Sequence, residues 1–154
     1  MTVRMLFILL IALSALLPTT APCQDRGFGA GVIIGEPTGF SLKGWINGKS
    51  AFDIGLAWSF VNETSFHIHA DYLFHSFGVF NTTEKVPLYY GIGGRIKTAK
   101  SHDARIGVRG VVGVAYLFRD APLDVFLEVA PIVDFAPSTE FQINAGFGMR
   151  YFFR

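Results

Sequence analysis

Near the end of the chain, residues 141–153 read FQINAGFGMRYFF. Apolar or aromatic side chains occupy every second position from Phe141 to Phe153, and polar residues or glycine fill the positions between them as far as Arg150. A period of two places alternate side chains on opposite faces of a β-strand, whereas a helix repeats about every 3.6 residues. The segment therefore predicts a strand with one apolar face and one face of glycine and polar groups.

The same period runs through residues 52–60 and 66–75, and no helical pattern interrupts it. Clusters of Gly, Pro, Asn, Asp and Ser divide the chain into eight such segments. The predicted strands are 28–35, 39–47, 50–60, 65–77, 87–97, 104–118, 123–134 and 139–153, with a break between each strand and the next. Most of them reach the ~9–11 residues that a tilted strand needs to cross a bilayer.

The two faces of these strands differ in composition. One carries bulky apolar side chains and no charge, including Phe40, Leu42, Phe52, Ile54, Trp58, Tyr72, Phe74, Ile92, Val112, Leu127 and Phe147. The other carries charges and many glycines, which suit the narrow interior of an eight-stranded barrel. We therefore predict an all-β fold, a closed antiparallel up-and-down transmembrane β-barrel of about eight strands. A soluble lipid carrier needs the reverse sorting, and a β-sandwich leaves the one-sided charge unexplained.

The first 23 residues have the order of features of a secretory signal peptide. Arg4 supplies a positive charge, residues 5–17 form an apolar stretch, and residues 18–23 are mostly small. We expect cleavage after Cys23, which leaves residues 24–154 as the mature barrel in the cell outer membrane. The alternative is a lipoprotein in which Cys23 carries the lipid.

Composition excludes some classes of function. The chain is 51% hydrophobic with a net charge of +1, so it lacks the basic excess of a nucleic-acid-binding protein. Beyond residue 17, no apolar run approaches the roughly 20 residues of a membrane helix.

Charges of both signs lie at the inward positions in equal number, which predicts ion pairs inside the barrel, since an unpaired buried charge is costly. The basic residues are Lys43, Arg95, Lys97, Arg105, Arg109 and Arg150, and the acidic residues are Asp53, Asp71, Asp124, Glu128, Asp134 and Glu140. We expect the network to centre on Lys43, Asp53, Asp71, Arg95, Arg109, Asp124, Glu128 and Arg150.

Hairpin geometry predicts two of the pairings. A three-residue loop at 47–49 places Lys43 opposite Asp53, and a turn at 135–139 places Asp124 opposite Arg150. Glu128, opposite or beside Gly113 and Gly146, would have room to reach an arginine such as Arg109.

Other polar groups raise the question of metal binding or catalysis. His67, His69 and Asp71 share one face of a strand, so the two histidines are weak metal candidates, although hydrogen bonding within a polar lumen explains them as well. The neighbours His75 and Ser76 point to opposite faces and cannot form a nucleophile–base pair. We predict no enzymatic activity, no bound metal and no cofactor.

Several segments carry a resemblance to a family of small outer-membrane β-barrel proteins with no assigned activity, and more loosely to OmpA- and OmpX-type eight-stranded barrels. The segments are 35–39, 67–72, 89–95 and 116–139, together with 144–153, which resembles the C-terminal signal recognised by the barrel assembly machinery. The resemblance implies the fold, an outer-membrane location and contact with that machinery. It brings no catalytic residues.

These observations favour a structural or membrane-integrity barrel, with the option of a narrow gated pore through a charge-paired lumen. The alternatives are a surface barrel that binds a ligand or host molecule and, less favoured, a soluble periplasmic lipid carrier. We expect a monomer that contacts outer-membrane lipid and no nucleic acid.

Overall fold

The computed structural model describes residues 26–59, 65–99 and 102–153. The strands are β1 (Phe28–Glu36), β2 (Thr38–Trp45), β3 (Ser50–Ser59), β4 (Ser65–Ser76), β5 (Leu88–Ala99), β6 (His102–Leu117), β7 (Leu123–Ala136) and β8 (Glu140–Phe153). Within that part of the chain, no helix has the length and apolarity to cross a membrane. The predicted signal peptide and the predicted 61–64 turn lie outside the described residues.

The eight strands form a closed barrel in which every neighbouring pair is antiparallel. The first and last strands close it, from Phe28 opposite Phe153 to Glu36 opposite Ala145. The predicted closed, antiparallel, eight-stranded barrel is therefore confirmed. We call the end that holds Phe28 and Phe153 the terminal end, and the end where β3 meets β4 and β5 meets β6 the distal end.

Strand register agrees with the hairpin predictions. Lys43 lies opposite Asp53, and Asp124 lies opposite Arg150. The loop between β2 and β3 has the expected length, because the amide of Ile46 donates to the carbonyl of Ser50 at 2.9 Å.

Two predicted breaks are too long. β5 continues to Ala99 and β6 begins at His102, so most of the expected 98–103 break is strand. Only Pro37 separates β1 from β2 where a break at 35–38 is expected. In a closed barrel a strand remains hydrogen-bonded as long as its neighbouring strands continue. The hydrogen-bonded strands therefore extend beyond the alternating apolar pattern from which the strand ends were predicted.

The glycine-and-charge face points inward, as predicted, and the bulky apolar face points outward. Among the residues exposed on the outer wall are Phe40, Phe52, Ile54, Trp58, Phe74, Ile92, Val112, Leu127 and Phe147. Buried inside are the eight charged residues expected to form the network, together with an apolar cluster of eight residues. That cluster consists of Ile33, Leu73, Tyr89, Val111, Ala115, Leu117, Phe126 and Ala130.

Candidate functional site

The candidate site is the lumen, where glycines make room for long side chains. Arg109 faces Gly93 on β5, and Arg95 faces Gly107 on β6. Glu128 lies between two glycines, Gly113 and Gly146, on its neighbouring strands. Since glycine has no side chain, a guanidinium or carboxylate can extend over the neighbouring strand toward the barrel axis.

Arg150 is the centre of a group of polar contacts in the half of the barrel toward the terminal end. It is fully buried, and its Nε donates to Asp124 Oδ1 at 3.2 Å. Its Nη1 donates to Ser41 Oγ at 3.3 Å and forms an ion pair with Asp53. The guanidinium also stacks 3.8 Å above the ring of Phe126. One arginine thus connects β2, β3, β7 and β8.

Arg109 forms a similar bridge at the middle of the barrel. Its Nε lies 2.9 Å from Asp71 Oδ2, and its Nη2 donates to Glu128 Oε1 at 3.0 Å. The hydroxyl of Tyr89 donates to the second oxygen of Glu128 at 3.1 Å. These contacts join β4, β5, β6 and β7 across the lumen, and the expected reach of Glu128 to Arg109 is present.

Arg95 and Arg105 form ion pairs toward the distal end. Arg95 Nε donates to Asp134 Oδ1 at 3.0 Å, and its Nη2 donates to Gln142 Oε1 at 2.8 Å. Arg105 pairs with Glu140 where both side chains are partly exposed. This end of the described lumen is the more accessible to solvent.

Lys43 has the predicted register but a different partner. Its Nζ donates to His75 Nε2 at 2.8 Å and lies 4.6 Å and 5.3 Å from the ring centroids of Trp45 and Tyr89. Asp53, directly opposite on β3, pairs with Arg150 instead. The strand register makes Lys43 and Asp53 neighbours. Arg150 nevertheless engages the carboxylate of Asp53, because its side chain is longer and its guanidinium is forked.

Among the described residues, the histidines of β4 belong to no cluster of possible metal ligands. His67 contacts the hydroxyl of Ser65 at 3.4 Å, and Asp71 is already engaged by Arg109. No group of three or more possible ligands is present in the part of the chain that the structure describes.

Sequence reasoning missed two aromatic residues of the lumen. Tyr89 is completely buried and spans Gly113, and Phe126 spans Gly148. Both lie at inward positions, so the period of two could have identified them.

No protein-family model matches the chain, and no curated protein matches it either. Among solved structures, it is similar to the N-terminal β-barrel domain of Pseudomonas aeruginosa OprF, with a TM-score of 0.57 and 12% sequence identity. The match covers 82% of this chain and 95% of that chain. At this identity the likeness concerns the fold, and it agrees with the eight-stranded barrel indicated by the sequence resemblance.

Proposed function

We propose that the chain is an integral outer-membrane β-barrel of structural or membrane-integrity type, with a narrow gated pore through its lumen. The observation that carries this proposal is the direction of the two faces, with apolar side chains outside a closed barrel and charges inside. Closure satisfies backbone hydrogen bonds without a sheet edge, and a charge on the lipid face near the midplane would cost ~2–4 kcal/mol.

Aromatic rings near both ends support a membrane setting. At the terminal end, Tyr72 contacts both Phe52 and Phe74, with ring centroids 5.1 Å and 4.9 Å apart. At the distal end, Trp58 lies between Phe40 and Phe66, 6.3 Å and 5.5 Å away. Such girdles are typical of membrane–water interfaces. In this proposal the signal peptide directs export, and the barrel assembly machinery recognises β8. The barrel is a monomer whose distal end faces the cell exterior.

The alternatives have less support. A soluble lipid carrier needs an apolar interior, whereas the described lumen is crossed by ion pairs. A host-binding barrel needs surface loops, but a single residue connects β1 to β2.

Cell fractionation and gel mobility test the membrane part of the proposal. We expect the full chain in the outer membrane, with a change of mobility only after boiling in detergent. Recovery of a soluble periplasmic protein without that change would refute it.

Single-channel recording tests whether the lumen conducts ions and whether its ion pairs keep the pore closed. Glu128→Gln leaves Arg109 with only one carboxylate. We expect the open probability to rise about tenfold, because a neutral amide oxygen accepts from the guanidinium more weakly than a carboxylate, whose charged hydrogen bond contributes about 1.5–3 kcal/mol to the closed state. Glu84→Gln, in the connection before β5, is the matched control and should behave as the wild type. A barrel that folds but conducts in neither variant would be a closed structural protein.

A further inference from the structure

Among the residues that the structure describes, the distal end of the lumen contains a cation with no carboxylate in ion-pair contact. Lys97 on β5 lies directly opposite Arg105 on β6, and Arg95 precedes it on the same face. Like charges facing each other across two strands destabilise a sheet. Asp134 and Glu140 compensate the two arginines, but Lys97 forms no ion pair or hydrogen bond within the described residues.

A buried hydrogen-bond donor that no described residue engages lies on the same strand face, two residues before this lysine. Arg95 is 2% exposed, and its Nη1, on the side of the guanidinium that points away from Asp134, has no hydrogen-bond partner in the described part of the chain. His67 lies opposite Lys97 on β4, and His69 lies opposite Arg95. Arg150 also has an unpartnered nitrogen, but two carboxylates already balance that guanidinium.

We propose that this end of the lumen is a binding subsite for a small oxyanion such as phosphate, formed by Arg95, Lys97 and His67. The anion would accept hydrogen bonds from Arg95 Nη1 and the ammonium of Lys97, and its charge would relieve the repulsion between Lys97 and Arg105. Access runs from the distal end, where the side chain of Arg105 is 25% exposed. Glu36 acts electrostatically on Lys97 and would compete with the ligand. The subsite does not require the barrel to conduct.

The test is a titration of the full-length mature chain in uncharged detergent micelles with inorganic phosphate, at constant ionic strength set by chloride. Amide shifts in residues 67–69 and 95–97, measured by NMR, report occupancy. We expect Lys97→Gln to bind phosphate about fivefold more weakly, the effect of losing one partly exposed charge. Lys49→Gln, which removes the same charge near the terminal end, should leave the affinity unchanged. Equal weakening in both variants would reduce the effect to net charge and overturn the subsite.

Two further measurements complete the test. Arg95→Lys keeps a cation beside Asp134 but removes the nitrogen Nη1 that would bind the anion. We therefore expect weaker phosphate binding in a barrel whose gel mobility is that of the wild type. Unchanged affinity would contradict the role of Nη1. Micelles containing phosphatidic acid offer the same phosphate chemistry on a lipid. If the same amides shift only with this lipid, and the shifts are lost in Lys97→Gln, the ligand is a lipid headgroup. If neither inorganic phosphate nor phosphatidic acid shifts these amides, the proposal is refuted.

Discussion

At the scale of single residues, the glycines of β1 explain how one arginine reaches two distant strands. Gly29 and Gly31 face the lumen between β8 and β2, and Arg150 lies directly opposite Gly31. A side chain at Gly31 would overlap the backbone of β8. Because β1 presents no side chain there, the guanidinium passes over it to Ser41 and Asp53. The ion pairs of the lumen therefore depend on positions that carry no charge themselves.

Adjacent glycines on β5 provide a direct test. A Cβ at Gly93, on the lumen side, would overlap the carboxylate of Asp71 and the carbonyl of Ala70. Since backbone atoms cannot move aside without opening the β4–β5 ladder, we expect Gly93→Ala to lower the free energy of unfolding by about 1–3 kcal/mol. Urea unfolding in micelles, followed by tryptophan fluorescence, measures the loss.

Gly94→Ala is the matched control. Its Cβ would point outward, 3.7 Å from the nearest atom, into an apolar cleft of about 260 Å³ between Ile68, Ile96 and Ile106. We expect this change to raise stability by about 0.5–1 kcal/mol, because alanine loses less backbone entropy than glycine. Equal effects of the two substitutions would show that the inward position has no special steric constraint.

At the scale of strands, the sequence predicted what lies within one hairpin and not what meets across the lumen. The pairs Lys43–Asp53 and Asp124–Arg150 follow from loop length alone, and both registers are present. The contact of Arg150 with Asp53 joins residues 97 positions apart and passes over β1. It depends on barrel closure and on side-chain reach, neither of which a period of two encodes.

A proline interrupts the ladder between β6 and β7. Arg109 pairs with Ile132 and Val112 pairs with Val129, but the two residue pairs between them are not joined. In this register Gly110 lies opposite Pro131, which has no amide hydrogen to donate. The carbonyl of Gly110 therefore lacks its ladder donor in the middle of the strand, where a membrane would offer no water to replace it.

Restoring that hydrogen-bond donor should stabilise the pairing of β6 with β7. We expect Pro131→Val to raise the free energy of unfolding by about 1 kcal/mol, the net value of one hydrogen bond. Hydrogen exchange of the amides of Val111 and Val112 should slow in the variant, while amides of the β4–β5 ladder stay unchanged. Loss of stability would mean that the proline ring packs on Gly110 better than an amide pairs with it.

At the scale of the whole molecule, the polarity is the inverse of that of a soluble protein. Apolar side chains form the exposed wall and the charges lie in the interior, which the sequence already indicated because no charged residue falls in the outward set. The sequence could not show that Lys97 has no ion-pair partner among the described residues, since that depends on which carboxylate each arginine engages.

This inversion predicts that folding requires an amphiphile. All eight strands expose large apolar side chains on the outer wall, whereas soluble monomers rarely expose contiguous apolar patches, so in plain buffer the closed barrel would associate and precipitate. Closure joins the two ends of the described chain, and contacts this distant in sequence form slowly. We expect urea-unfolded protein to acquire β-structure by circular dichroism, and the faster mobility of the unboiled barrel, only above the micelle concentration of the detergent. A folded monomer in detergent-free buffer would show that the wall is compatible with water, and the membrane assignment would fail.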